Sequence, residues 1–246
     1  GWGDVVGPEQ LGRIKDYIDG KITTVTIPNP GNPNTWSNGY ELANDNIDYY
    51  KVFYKDVTPS QEHNLSVSGG SDRVSFYVSG NFLDQKGLMN FGSDGLKRYN
   101  FFGKLDAHLS KIASLSYSSR YIRTDYHQPR HMSNSFFQEI GRQSWPIGPL
   151  YDPNGFLFND HALTLKNGGE IKNQLSSLVQ QVSVTLEPVK GWHIVGSVNY
   201  RYETNFNHED GKPIQQMQVD GIHPGNEWYY NWVSESGNKT DYLNYN

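Results

Sequence analysis

Apolar and polar residues alternate along the chain from residue 63 onward. A period of two is typical of β-strands that have one apolar and one polar face. In the second such segment the apolar positions are Val74, Phe76, Val78, Gly80 and Phe82, and the polar positions between them are Ser75, Tyr77, Ser79 and Asn81. The pattern predicts about six strands, each of roughly 10 to 14 residues, between residues 63 and 207.

The connections between the predicted strands are alternately short and long. Short turns are predicted at residues 69–72, 110–111 and 188–191, and long connections at residues 84–96, 124–173 and after residue 207. Transmembrane β-barrels have tight turns at one membrane surface and extended loops at the other. The predicted strands also exceed the length of about five or six residues that is usual in soluble sheets. The fold class that we predict is all-β, an antiparallel transmembrane β-barrel segment.

The first 60 residues do not show this alternation, so we divide the chain there. Residues 1–60 are predicted to be an irregular segment, and residues 61–246 to be strands and loops of the barrel. One helix is predicted over residues 8–19, where apolar residues recur at helical spacing. Residues 27–34 contain three prolines, which disfavour both a helix and a central strand, and are predicted to form a loop.

Composition removes several classes of protein. The hydrophobic residue fraction is 35% and the mean hydropathy is −0.70, but the aromatic fraction of 14% is too high for a disordered chain. No apolar run approaches the roughly 18 residues of a membrane-spanning helix. The net charge of −5, without a basic run, argues against a nucleic-acid partner. The absence of cysteine removes disulfides and thiolate metal sites.

Catalytic chemistry finds little support in the sequence. His127 and His131 are four residues apart, but Pro129 between them disfavours the helix on which they would share a metal. The adjacent carboxylates Glu209 and Asp210 are expected in a solvated loop, because neighbouring residues do not set the separation that a glycosidase pair needs. We predict no enzymatic activity, no catalytic residue, no cofactor and no metal.

Three consecutive segments resemble a known family. Residues 61–72 read QEHNLSVSGGSD, residues 73–87 read RVSFYVSGNFLDQKG, and residues 97–100 read KRYN. In this order they are similar to the strands that open the barrel of SusC/RagA-like TonB-dependent transporters. Residues 46–53 resemble the family's approach to the barrel, with Tyr49 where a tryptophan is usual. The resemblance is close over residues 40–125 and rests on topology alone elsewhere.

The resemblance carries functional expectations. It implies an outer-membrane importer of oligosaccharides or peptides that is energised by the TonB complex and works with a SusD-like surface lipoprotein, with its barrel wall in outer-membrane lipid. Such a transporter has about 22 strands around a plug. The expected plug, TonB-coupling segment and later strands are not found in this sequence, which we therefore interpret as a fragment. Residues 1–60 would connect the plug to the barrel.

Aromatic residues in the long connections are the candidate binding residues. Flat rings with a polar edge suit stacking on sugar rings or on peptide side chains. The alternative is that they pack the loops together or form the aromatic girdle at the lipid headgroups. The candidates are Trp145, Tyr151, Phe156 and Phe158 in the middle connection and Trp228, Tyr229, Tyr230 and Trp232 in the last one.

A second hypothesis belongs to another class of protein. The same strands and loop aromatics would suit a soluble or surface-attached β-sandwich that binds glycans. In that case the apolar positions of the strands would face a second sheet and would not face lipid. Solubility without detergent would favour the sandwich.

Overall fold

The computed structural model of the chain describes residues 7–37 and 42–246. Residues 1–6 and 38–41 of the predicted amino-terminal segment lie outside the described residues. Within the described part, the helices are α1 (Pro8–Ile18), α2 (Tyr49–Phe53), α3 (Asn134–Gln143) and α4 (Asp160–Asn167). The strands are β1 (Pro28–Asn29), β2 (Asn32–Trp36), β3 (Ser60–Gly70), β4 (Val74–Lys86), β5 (Gly95–His108), β6 (Ala113–Pro129), β7 (Glu170–Val189), β8 (Trp192–Gly211), β9 (Ile214–Met217), β10 (Pro224–Trp228) and β11 (Trp232–Tyr245).

One antiparallel sheet, which we call the main sheet, dominates the described residues. It has seven strands in the order β3-β4-β5-β6-β7-β8-β11, so each strand pairs with its neighbour in sequence apart from the hairpin β9–β10 between β8 and β11. Within the described residues β3 and β11 are the two edges and do not pair with each other. The predicted all-β fold class is confirmed, and the six predicted strands correspond to β3 through β8.

Three details of the strand prediction are wrong. Residues 27–34 were predicted to form a loop, but residues 28–29 and 32–36 pair as the short strands β1 and β2, outside the main sheet. The segment after residue 207 was predicted as an open-ended connection, but β8 continues to Gly211 and residues 232–245 form the further strand β11. The strands β7 and β8 each have 20 residues, so they are longer than predicted. The middle connection, predicted at residues 124–173, covers only residues 130–169, because β6 and β7 remain paired beyond their apolar positions.

The register of the main sheet separates one apolar face from one polar face. A row across all seven strands joins Gly69, Phe76, Leu105, Tyr117, Val182, Val198 and Tyr245. The adjacent row, which points to the opposite face because side chains alternate along a strand, joins Ser68, Tyr77, Lys104, Ser118, Gln181, Asn199 and Asn244. In these two rows the predicted alternation is continuous across all seven strands, whereas nearer the long connections the apolar face also carries polar side chains such as Arg123, Ser176 and Lys239.

The short connections lie at one end of the main sheet and the long connections at the other. Short turns join β3 to β4, β5 to β6 and β7 to β8 at one end. Residues 87–94, 130–169 and 212–231 leave the other end, and residues 42–59 pack among them. We call these four segments together the long-loop layer. The predicted sorting of short and long connections is therefore present in the fold.

The segment before the main sheet contains the predicted helix. Helix α1 begins at Pro8, where a proline costs no hydrogen bond because the first turn of a helix has no acceptor for its N–H groups. The side chain of Gln10 donates to the carbonyl oxygen of Ala43 at 3.0 Å, and this bond ties the helix to the segment that follows. Among the described residues, no helix has both the length and the apolar character needed to cross a membrane.

Candidate functional site

The long-loop layer has an apolar core of its own. Phe53 at the end of α2 is fully buried, and its ring meets the rings of Phe91 and Phe136 edge-on, with centroids 5.9 and 6.0 Å away. Edge-to-face packing of this kind adds to the stabilisation that burial alone gives. The core draws on α2 and on the connections after β4 and β6, and its buried members are Tyr49, Phe53, Met89, Phe136, Ile140, Leu150, Ala162 and Leu165.

Hydrogen bonds fix α2 within this core. The hydroxyl of Tyr49 donates to the carbonyl oxygen of Gly148 at 2.8 Å and accepts from the side-chain amide of Asn159 at 3.1 Å. The side-chain amide of Asn90 donates to the carbonyl oxygens of Val52 and Tyr54, at 2.9 and 3.2 Å. These carbonyls at the end of a helix lack partners within the helix, so Asn90 acts as their cap. The layer is held by polar contacts as well as by burial.

The first group of candidate aromatic residues surrounds a turn in the middle connection. Tyr151 and Phe156 are exposed on this turn, whereas Trp145 is half-buried. One carboxylate oxygen of Asp152 accepts from the backbone N–H groups of Asn154 and Phe156, each at 2.9 Å. This local bonding, which is typical of Asp in turns, holds the two exposed rings on a closed turn.

Phe158 differs from the rest of its group. Its side chain is only 3% exposed, and its carbonyl oxygen accepts from the side-chain amide of Gln216 at 2.8 Å. The ring of Phe158 therefore belongs to the interior of the long-loop layer. It corresponds to the alternative reading, in which loop aromatics pack the loops together.

The second group of candidates lies on residues 228–232, between β10 and β11. Trp228 ends β10, where it pairs with the buried Ile214 of β9. Tyr229 has a backbone φ of 68°, which is unusual for a residue with a side chain, and its ring packs on His131 with centroids 4.7 Å apart. Tyr230, the next residue, is 86% exposed.

Arg130 anchors the other end of this segment. Its guanidinium lies over the ring of Trp232, 4.7 Å from the centroid, and pairs with Glu209 at 3.1 Å. A cation over an indole face is a favourable contact, and the carboxylate fixes the orientation of the cation. Sequence reasoning missed Arg130 and considered His131 only as a metal ligand with His127, because the contacts of both residues are about 80 to 100 residues away.

The expectation that Glu209 and Asp210 lie in a solvated loop is wrong. Both residues lie near the end of β8, next to the long-loop layer, and Asp210 is 7% exposed. Asp210 accepts from the backbone N–H of Glu170 at 2.7 Å and pairs with Lys212 at 3.1 Å. The two carboxylates thus close the end of the sheet around β7 and β8.

The hairpin β9–β10 connects the two groups of candidates. Asn154 on the turn of the first group donates through its side-chain amide to the carbonyl oxygen of Val219 on this hairpin, at 3.0 Å. The side-chain amide of Gln216 also reaches the carboxylate of Asp160 at 2.9 Å. Trp228 lies on the second strand of the same hairpin. The structure therefore places both groups in one layer.

Local charges in the layer favour a neutral His131. Burial and the neighbouring Arg130 lower the pKa of His131 below its ordinary value, because both disfavour the protonated ring.

At the tip of the hairpin, the His223 ring and two backbone N–H groups hold the pKa of Asp220 at about 2. Within the described residues no group of three or more His, Cys, Asp or Glu side chains is arranged to hold a metal ion.

Comparisons with known proteins point to one family. No protein-family model matches the chain. The chain is 29% identical over 99 residues to the TonB-dependent receptor P26 of Formosa agariphila, a match that covers 40% of this chain and 9% of that receptor. Its fold is similar to the RagAB peptide importer in the closed-closed state, with a TM-score of 0.54 and 16% identity, over 70% of this chain and 20% of that chain. A second structure, of the RagAB peptide transporter, gives a TM-score of 0.52 and 16% identity over 68% and 20%.

These matches cover a minor part of each relative, so the chain spans about a tenth of the receptor and a fifth of the chains in the solved structures. The structural likeness establishes the fold, and the sequence match agrees with it in naming TonB-dependent receptors. The predicted resemblance is thereby confirmed: the chain is SusC/RagA-like and has the fold of part of a TonB-dependent transporter barrel.

Proposed function

We propose that this chain forms part of the wall and the outer loops of a TonB-dependent outer-membrane importer. The importer takes up oligosaccharides or peptides and works with a SusD-like surface lipoprotein. The observation that carries the proposal is the apolar face of the main sheet. Phe76, Leu105 and Val182 lie in one row of this face and are each about 40% exposed. An exposed apolar surface that spans a whole sheet marks an interaction site, and lipid is the partner that covers a barrel wall.

The β-sandwich alternative requires a second sheet over the apolar face, at a spacing of about 10 Å. Within the described residues the other sheets are the two-stranded pairs β1–β2 and β9–β10. Their strands make few contacts with the main sheet, and the apolar row stays exposed. The fold therefore favours a membrane wall over a sandwich.

The long-loop layer is proposed to lie outside the cell. Long connections gather at the outer surface of outer-membrane barrels, and short turns gather at the periplasmic surface. Because α2 is part of the core of this layer, residues 42–59 are placed at the outer surface with it. They precede the first strand of the main sheet and, in the proposed orientation, approach it from the outer side.

The exposed rings of this layer are the proposed contacts for substrate or lipoprotein. Tyr151, Phe156 and Tyr230 are open to solvent and sit on stems that hydrogen bonds or ring contacts hold in place. The related RagAB structures are described as a peptide importer, which supports a peptide as one substrate class. Tyr229 and Trp232 are exposed near Tyr230 and belong to the same proposed contact surface, whereas Trp145 and Trp228 are half-buried in the layer.

Cysteine labelling in the complete transporter tests the orientation. This chain contains no cysteine, so within it each substitution introduces a single labelling site, and the parent for the experiment is the complete transporter with any other cysteine replaced by serine. We expect Tyr230→Cys to react with a membrane-impermeant maleimide on intact cells. The matched control is Asp72→Cys in the short turn after β3, which is expected to react only after the outer membrane is opened.

The opposite labelling pattern would show that the layer faces the periplasm, and the proposed importer topology would be wrong. Labelling of both sites on intact cells, in transporter that co-fractionates with membranes, would also contradict the proposal, because the two ends of the sheet would then not lie on opposite sides of the outer membrane. A transporter that is soluble without detergent would restore the sandwich hypothesis.

A further inference from the structure

A depression of about 510 Å³ lies at the long-loop end of the apolar face, across strands β5 to β8. Tyr99 and Phe206 contribute its aromatic surface. Tyr99 shares a face with Phe101 and Leu105, since residues two apart in a strand point the same way. The depression therefore opens on the apolar side of the sheet, at the level where the exposed apolar rows end.

Cationic side chains surround this depression. Lys97, Arg123 and Lys172 line it, together with the rings of His127 and His208. Lys172 on β7 is the direct cross-strand neighbour of His127 on β6 and of His208 on β8, so its Cβ atom is about 4.5 to 5.5 Å from each of theirs. Three lysine or arginine residues and two histidines thus lie within one site at the edge of the apolar band.

Carboxylates in and around the site pair with some of these cations. Asp125 lines the depression and binds Arg123 at 2.9 Å. Glu170 at the rim pairs with Lys172, and Glu235 meets His208 at 3.0 Å.

Lys97 differs from the other cations in the site. Its cross-strand neighbours Asp84 and Asp125 pair instead with Lys86 and Arg123, so among the described residues Lys97 joins no ion pair. It is the cation most available to a bound anion.

We propose that this depression binds the phosphate-bearing headgroup of an anionic lipid in the outer leaflet. Lys97 and Lys172 contact the phosphate, and the acyl chains run down the apolar rows below Tyr99. The inference rests on the proposed function, because the face must meet lipid. A depression with one lysine outside the ion pairs of the described residues and with aromatic rings at its base, at a membrane boundary, matches an amphiphile better than a free anion, which would not contact the apolar surface.

Native mass spectrometry of the complete transporter tests the inference. The probe is dihexanoyl phosphatidic acid, titrated into the detergent-solubilised protein, with dihexanoyl phosphatidylcholine and inorganic phosphate as separate arms. The Lys97→Gln/Lys172→Gln variant is expected to bind the phosphatidic acid roughly 30-fold more weakly than the parent, since each lysine near an anionic headgroup strengthens binding about fivefold. The matched control is Lys104→Gln, which removes a lysine from the polar face.

The expected pattern is weakened phosphatidic acid binding in the double variant alone, with normal heat-modifiable gel mobility. Equal affinity in parent and double variant would overturn the inference, as would equal binding of phosphatidylcholine. Displacement of the lipid by inorganic phosphate at similar concentration would show an anion site and not a lipid site. The cysteine labelling described above is independent of these lysines, so failure of the lipid site and failure of the proposed topology are distinguishable.

Discussion

A lysine at position 78 tests which face of the main sheet meets lipid. Val78 lies in the middle of the apolar positions of β4, with Val67 and Gly103 as its cross-strand neighbours, and it is 53% exposed. Ser79, the next residue, points to the opposite face beside Ser66 and Phe102. The pair Val78→Lys and Ser79→Lys therefore moves the same charge from one face to the other at the same height.

The register gives the position of this charge in the membrane. From Val74 to Phe82 the apolar face of β4 runs over eight residue steps, which is about 26 Å along the strand and about 20 Å in height at a tilt of about 40°. The apolar band of an outer-membrane barrel is about 25 Å tall, so Val78 is near the midplane. A lysine there costs about 2 to 4 kcal/mol, which is about 30-fold to 1000-fold in the equilibrium between inserted and unfolded protein.

Heat-modifiable gel mobility of the complete transporter, with urea titration in lipid vesicles, measures this cost. We expect Val78→Lys to lower both the assembled fraction and the urea midpoint, and Ser79→Lys to leave both close to the parent values. Val78→Met controls for the loss of the β-branched side chain. Equal losses in the two lysine variants, or a greater loss for Ser79→Lys, would refute the assignment of faces.

Two further predictions concern the long-loop layer. Phe53→Ala removes the fully buried ring at the core of the layer and is expected to lower its local stability by about 3 to 5 kcal/mol. The loss is measured as faster hydrogen exchange in residues 130–169, and the control Tyr50→Ala, which removes an exposed ring from the same helix, should leave exchange unchanged. Tyr230→Ala is expected to lower the rate of substrate uptake roughly tenfold at substrate concentrations below saturation, without loss of assembled barrel. If uptake by Tyr230→Ala equals uptake by Tyr50→Ala, Tyr230 is not part of the binding surface.

The strands of the main sheet were predictable because each carries its own signal. In β4 the alternation of residues 74–82 requires no knowledge of neighbours, and the register then aligns these apolar positions with those of β5. Because side chains alternate with a period of exactly two, a local pattern of apolar residues determines one face of the whole sheet. Helix α1 was predictable for a similar reason, since its apolar spacing and its proline at the start are both local.

Strand β11 was not predictable from the same rule. Its positions on the apolar face include Glu235, Lys239 and Asp241, and the apolar residues there, Val233 at one end and Leu243 and Tyr245 at the other, do not form an unbroken alternation. Asp241 is accommodated because the hydroxyl of Tyr200 on β8 donates to its carboxylate at 2.9 Å. Such a pairing depends on register between strands, which a single segment of sequence does not reveal.

The candidate site was predictable as a set of loops but not residue by residue. Tyr151, Phe156 and Phe158 look alike in sequence, yet two are exposed and the third is buried. The difference arises from the turn around Asp152 and from Gln216 on a distant hairpin. Contacts between separate connections decide which rings face solvent, and those contacts have no local pattern.

The long-loop layer is pre-organised, as expected of a binding surface whose loops are already ordered before a ligand binds. Tyr229 is packed on His131 and Trp232 lies under Arg130, so the residues on both sides of Tyr230 are held while Tyr230 itself extends into solvent. Immobilising a side chain on binding costs about 0.5 to 1.5 kcal/mol, and ordering a loop costs more. Because the main sheet and the core around Phe53 already fix these stems, the ordering cost is met during folding, and a ligand at Tyr230 has only one side chain left to order.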